Sequence, residues 1–133
     1  MALIKSEVKG EIRVIFVDVA RFVDGAVIEQ CYREIVDMLN KTEEGNVLLH
    51  FGRVAFMSSA ALGMLIRVQK KCKEFKIVLK LCNISPEIGQ VFKITGLDKV
   101  FDIRADAADA MDSFKASGKS FSRTQRETRH DLT

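Results

Sequence analysis

Residues 47–81 read VLLHFGRVAFMSSAALGMLIRVQKKCKEFKIVLKL. Two apolar runs at the ends flank one run with helical spacing. In the middle, Leu62, Leu65, Ile66 and Gln69 form one stripe, with Ala61, Met64 and Val68 beside it. The spacing predicts a helix that begins near Ser58–Ala61 and runs to about Glu74. A strand–helix–strand unit of this kind joins parallel neighbours through a crossover, so it sets the fold class as α/β. Where the first strand hands over to the helix, Ser58 and Ser59 stand side by side.

The flanking sequence extends the same alternation. Upstream, residues 3–8 and 11–19 read as two strands of a hairpin, with Lys9-Gly10 as the turn. Ile12, Val14 and Phe16 share one face of the second strand, Ile15, Val17 and Val19 the other, as in a central strand. A helix is expected from Gly25 to Asn40, capped by Asp24, with Ile28, Cys31, Tyr32, Ile35 and Leu39 inward. Glu29 and Arg33 are expected to pair on its wet face. Residues 46–51 and 76–82 are the third and fourth strands. Ser85 caps a short helix that starts at Pro86 and ends at Gly96. Residues 100–103 form a fifth strand, and a helix over 106–115 turns Ala107, Ala110, Met111 and Phe114 inward. The order is ββαβαβαβα: one α/β domain over 1–116, with a mixed, mostly parallel sheet of about five strands and about four helices.

Composition bounds the function. The chain has 133 residues, 47% hydrophobic and 29% charged, typical of a soluble globular domain. No apolar run approaches the roughly 18 residues of a membrane span. The start, MALIKSEVKGEIRV, lacks the apolar stretch of a secretion signal, so a cytoplasmic location is expected. Cys31, Cys72 and Cys82 form no CxxC pair, which argues against a disulfide framework or a zinc site. Residues 117–133 carry four basic residues, Lys119, Arg123, Arg126 and Arg129, against Glu127 and Asp131. This tail reads as a basic, flexible extension. It holds two of the three net positive charges, so the body is near neutral and direct nucleic-acid binding is not expected.

Two readings of the serines follow from their position. One is a helix cap, which contributes about 1 kcal/mol. The other is a phosphate carrier, since unpaired N–H groups and the helix dipole favour an anion there. Neighbouring Phe56 and Met57, together with basic Arg67, Lys70 and Lys71 on the helix, then form a docking surface for a partner. Other chemistry fits poorly. GxSxG, GxGxxG and GxxxxGK[ST] are absent. His50 lies mid-strand and reads as a half-buried histidine. Asp98, Asp102, Asp106, Asp109 and Asp112 are spaced as caps and polar-face residues rather than as metal ligands. No cofactor and no catalytic residue are expected.

The order of elements resembles the STAS domain, found in bacterial anti-sigma-factor antagonists and at the cytoplasmic ends of sulphate transporters. The segment VLLHFGRVAFMSSAALGMLIRV is similar to the family's strand followed by Asp-Ser-Ser/Thr-Gly-Leu-Gly opening a helix. FKITGLDKVFDIRADAADAM is similar to its closing segment. The resemblance covers about residues 3–115. It implies a non-catalytic module that binds a serine kinase doubling as an anti-sigma factor, is phosphorylated by it, and is reset by a phosphatase. Aligned on Leu62-Gly63, the phosphoacceptor position is Ser59, with Ser58 the less favoured choice. Ser58 stands where the family has Asp, Ala60 at the second hydroxyl and Ala61 at the glycine, where the resemblance implies that its methyl meets a partner's backbone and so joins the partner-binding set. The alternative is a constitutive interaction subunit of a signalling or transport complex, in which the serines are only caps.

Overall fold

A computed structural model describes residues 2–116. The expected extension over 117–133 lies outside the described residues. The strands are β1 (Ile4–Lys9), β2 (Ile12–Val17), β3 (Arg21–Phe22), β4 (Asn46–His50), β5 (Phe56–Met57), β6 (Val78–Cys82) and β7 (Asp102–Arg104). The helices are α1 (Gly25–Lys41), α2 (Ser59–Glu74), α3 (Pro86–Thr95) and α4 (Ala107–Ala116).

The main sheet has the order β1-β2-β4-β6-β7. Only β1 runs antiparallel to its neighbour; the other pairs are parallel. The fold is thus the mixed, mostly parallel sheet expected, with four helices. The hairpin turn differs from expectation by one residue. Lys9 pairs with Ile12, so the two-residue loop is Gly10–Glu11. Gly10 takes the left-handed φ of 63° that such a loop requires at its first position. The short pair β3–β5 was not anticipated. Two residues carry no periodicity that sequence reading can detect.

Each sheet face has its own cover. Ile15, Val17, Val47, Leu49, Leu79 and Leu81 point to α1, α2 and α3, forming the main core. Alternate residues Ile12, Val14, Leu48 and Cys82 point to the other face, which α4 covers with Ala110 and Phe114. One helix suffices there because β1 offers that face only charge. Lys5, Glu7 and Lys9 pair across from Phe16, Val14 and Ile12 and are exposed.

The helix ends follow their expected caps. Asp24 Oδ1 accepts from the N–H groups of Ala26 and Val27 at 2.8 and 3.2 Å. Ser85 Oγ accepts from Ile88 N at 3.3 Å, and Gly96 closes α3 with φ 77°. On α2 the buried face is Ala61, Leu62, Met64, Leu65, Val68 and Cys72. Gln69, read as part of the inward stripe, instead donates to the Val100 carbonyl at 3.1 Å. All three cysteines are buried.

Candidate functional site

The loop from β4 to α2 is held at both ends by backbone bonds. Phe51 N donates to Cys82 O at 3.0 Å, and Ser58 N donates to Phe22 O at 2.8 Å. The β3–β5 pairing and Ala55 N donating to Ala20 O at 2.8 Å lock the stretch between. The start of α2 is therefore placed by the segment between β2 and α1 as much as by its own strand.

The two serines divide the roles. Ser58 is the N-cap, extended at φ −77° and ψ 170°, and its Oγ accepts from Ala61 N at 3.3 Å. Its carbonyl takes the first helical bond, from Leu62 N at 3.1 Å. Ser59 is the first helical residue and is exposed. Its hydroxyl makes no hydrogen bond among the described residues. The N–H groups of Ser59 and Ala60 precede the helical ladder and have no acceptor within the helix.

The surrounding set expected to meet a partner splits. Phe56 is 44% exposed, with the Arg21 guanidinium 5.0 Å from its ring centre. Met57 and Ala61, also expected to contact a partner, do not reach the surface. They are 8% and 0% exposed and belong to the main core. The reason is the cap: once Ser58 starts the helix, the residue before it and the residue three later both turn toward the sheet. The Ala61 methyl therefore fills core space rather than standing where a partner's backbone would approach.

The basic face is also divided. Arg67 donates to both carboxylate oxygens of Glu29, at 3.1 and 3.2 Å, and stacks on the Tyr32 ring at 3.8 Å. The bidentate hydrogen bond from Arg67 lowers the Glu29 pKa, and the same bond raises that of Arg67. Glu29 thus bridges α1 to α2 instead of pairing with Arg33 as its spacing had indicated. Arg67 ties two helices together. Lys71 pairs with Glu74 at 3.4 Å. Lys70 is exposed and has no ion-pair partner among the described residues.

His50 holds the loop after β4. It stacks on Phe16 at 4.9 Å between ring centres, and its Nδ1 accepts from Gly52 N at 3.1 Å. A Cβ on Gly52 would come within 2.7 Å of His50 Cε1, so a side chain there collides with the ring. Partial burial lowers the His50 pKa, with Lys9 adding to the effect. Of the late aspartates, Asp106 caps α4 through Asp109 N at 2.8 Å, while Asp102 accepts from Lys80 and Arg104. Among the described residues no His, Cys, Asp and Glu side chains group as metal ligands.

Sequence reading passed over Lys80. It lies under α4, 7% exposed, donating to Asp102 Oδ2 at 2.6 Å and Ser113 Oγ at 2.8 Å. Burial works to raise the Asp102 pKa, but hydrogen bonds from Arg104 and Lys80 outweigh it and hold the group low. The signal was present: Lys80 is the one charged residue inside VLKLC, opposite Asp102 in the parallel register. The cluster sits on the sheet face away from the serines.

Comparison with known proteins gives a consistent family. The model of the STAS domain matches residues 4–110. A Bordetella bronchiseptica protein described as a candidate anti-sigma factor antagonist, BtrV, is 30% identical over 95 residues, covering 71% of this chain and 81% of that protein. A STAS domain protein from Planctomyces limnophilus, described as an anti-sigma-factor antagonist, superposes with a TM-score of 0.72. It is 25% identical, over 85% of this chain and 98% of its own. The unphosphorylated form of the antagonist SpoIIAA shares the fold at TM-score 0.68 and 21% identity, over 85% and 96% of the two chains. The sheet order, the capped start of α2 and these matches agree: the chain belongs to the STAS domain family and resembles the anti-sigma factor antagonists within it.

Proposed function

We propose that this chain is a non-catalytic regulatory binding module of the cytoplasm, an antagonist of an anti-sigma factor, switched by phosphorylation of Ser59. The observation that supports it is the division of labour at the start of α2. Ser58 meets the structural need for a cap, which leaves an exposed and unbonded hydroxyl at Ser59. SpoIIAA is known in a phosphorylated form as well, in a structure from Bacillus.

The physics of the switch is local. A phosphate brings a charge of roughly −1.5 to −2. At the first turn the helix dipole offsets that charge by about 0.3–1 kcal/mol, so the domain stays folded. A partner seated over Ser59 would have to desolvate the new charge or be repelled by it. A cost of about 2–3 kcal/mol corresponds to a roughly 30- to 150-fold loss of affinity. The partners are a serine kinase that is itself the anti-sigma factor, and a separate phosphatase.

Incubation with that kinase and ATP, followed by peptide mass spectrometry, tests the reading. The expected result is one phosphate on Ser59, and Ser59→Asp that binds the kinase weakly. No phosphate at Ser59, together with Ser59→Asp binding as the unmodified chain does, rejects it. The constitutive reading gains support from Ser58, which replaces the family's acidic residue beside the acceptor and serves as cap. In that case Ser59→Ala leaves regulation intact.

A further inference from the structure

The flank that α2 shares with α3 leads away from Ser59 and is apolar where a surface is usually polar. On α2, Ser59, Leu62, Ile66, Gln69 and Lys73 fall on one stripe at helical spacing. The Gln69 bond to the Val100 carbonyl shows that this stripe faces the end of α3 rather than α1, which lies on the Arg67 side. On α3, Gly89 and Lys93 line the cleft against Ile103–Ala105, so Val91 and Ile94, one turn apart, lie on the opposite side of the helix, and they are 37% and 81% exposed. Val100 is 47% exposed. At the head of the flank, β5 carries Phe56 and touches both helices. Four of the seven large hydrophobic residues exposed among the described residues therefore lie on this flank. That concentration marks an interaction surface.

Charge chooses the occupant. Lys70, Lys73 and Lys99 are exposed here, and none has an ion-pair partner among the described residues. With Arg21 over Phe56 counted beside them and Glu87 and Asp98 against them, two net positive charges remain. We propose that this flank receives an amphipathic helix of the partner whose apolar stripe covers Ile94 and whose acidic side chains meet the three lysines. The inference rests on the proposed switch and deepens it. A partner acidic enough to suit the lysines is one that a phosphate at Ser59, at the head of the same flank, would repel.

The test uses the full chain and two synthetic helical peptides of about 18 residues, with leucines three and four apart. One has glutamates beside the leucines and the other has lysines in their place. Fluorescence anisotropy is expected to show the glutamate peptide binding at least about tenfold more tightly than the lysine peptide. That binding should weaken when salt rises from about 0.05 to about 0.5 M. Ile94→Glu and Lys73→Glu should each weaken it by about tenfold or more. Both positions are exposed, and an unchanged melting temperature shows that the variants fold. Failure of the glutamate peptide to bind, equal binding of both peptides, or no effect of Ile94→Glu overturns the proposal. The outcome is separate from the mass-spectrometric test, since the groove can fail while Ser59 is phosphorylated, and the reverse.

Discussion

Substituting each of the adjacent serines by alanine should give opposite results for stability and for switching. Ser58 Oγ satisfies one orphan N–H at the start of α2, and the bond to Ala61 N is 3.3 Å, at the long end for such bonds. A cap of ordinary geometry contributes about 0.5–2 kcal/mol, so this one should contribute about 1. Ser58→Ala should therefore lower the urea midpoint by about 0.5 M, for a slope of about 2 kcal/mol per M. Ser58→Asp keeps a cap oxygen and adds a charge that the dipole favours, so it should match or exceed the natural chain by about 0.3–1 kcal/mol. Ser59→Ala removes no bond found among the described residues and should change stability by less than about 0.5 kcal/mol. It should also abolish modification at the start of α2, which Ser58→Ala should not. The assay is urea denaturation followed by circular dichroism, on the four proteins side by side. If Ser59→Ala destabilises as much as Ser58→Ala, the division of labour is wrong and the case for a free acceptor hydroxyl falls with it.

Other outcomes follow from the same geometry. Asp102→Ala should destabilise by about 2–3 kcal/mol, because it strips buried Lys80 of its carboxylate; the figure is below that of a fully buried pair since Asp102 is 38% exposed. Lys80→Met should cost less than Asp102→Ala, as an apolar chain of similar length fits beneath Phe114, and thermal melts would show the ranking. His50 has a lowered pKa in the folded state, so the unfolded chain binds its proton more readily. Its contribution is complete above pH 6.5 and is lost as pH falls through the lowered folded value; urea melts at about pH 7.5 and about pH 5 should show the slope, reduced in His50→Gln. Gly52→Ala should cost about 1 kcal/mol by driving the His50 ring off Phe16, a change that the histidine's proton NMR shifts would report.

Strands and helices with whole turns of pattern were legible because their periods are local. Ile28, Cys31, Ile35 and Leu39 lie a turn apart, and any helix through them must bury that face. Asp24, Ser85 and Gly96 mark helix ends by chemistry that acts within four residues. From these alone came the order of elements, the α/β class and the placing of a hydroxyl pair at the head of α2. Which hydroxyl caps and which stays free depended on the backbone angles that the β3–β5 pairing imposes, a contact between segments more than thirty residues apart in sequence. The same distance dependence hid the inward turn of Met57 and Ala61, the preference of Glu29 for Arg67 over Arg33 on its own helix, and the salt bridge beneath α4. Periodicity tells which side of an element is apolar; only packing tells what stands opposite it.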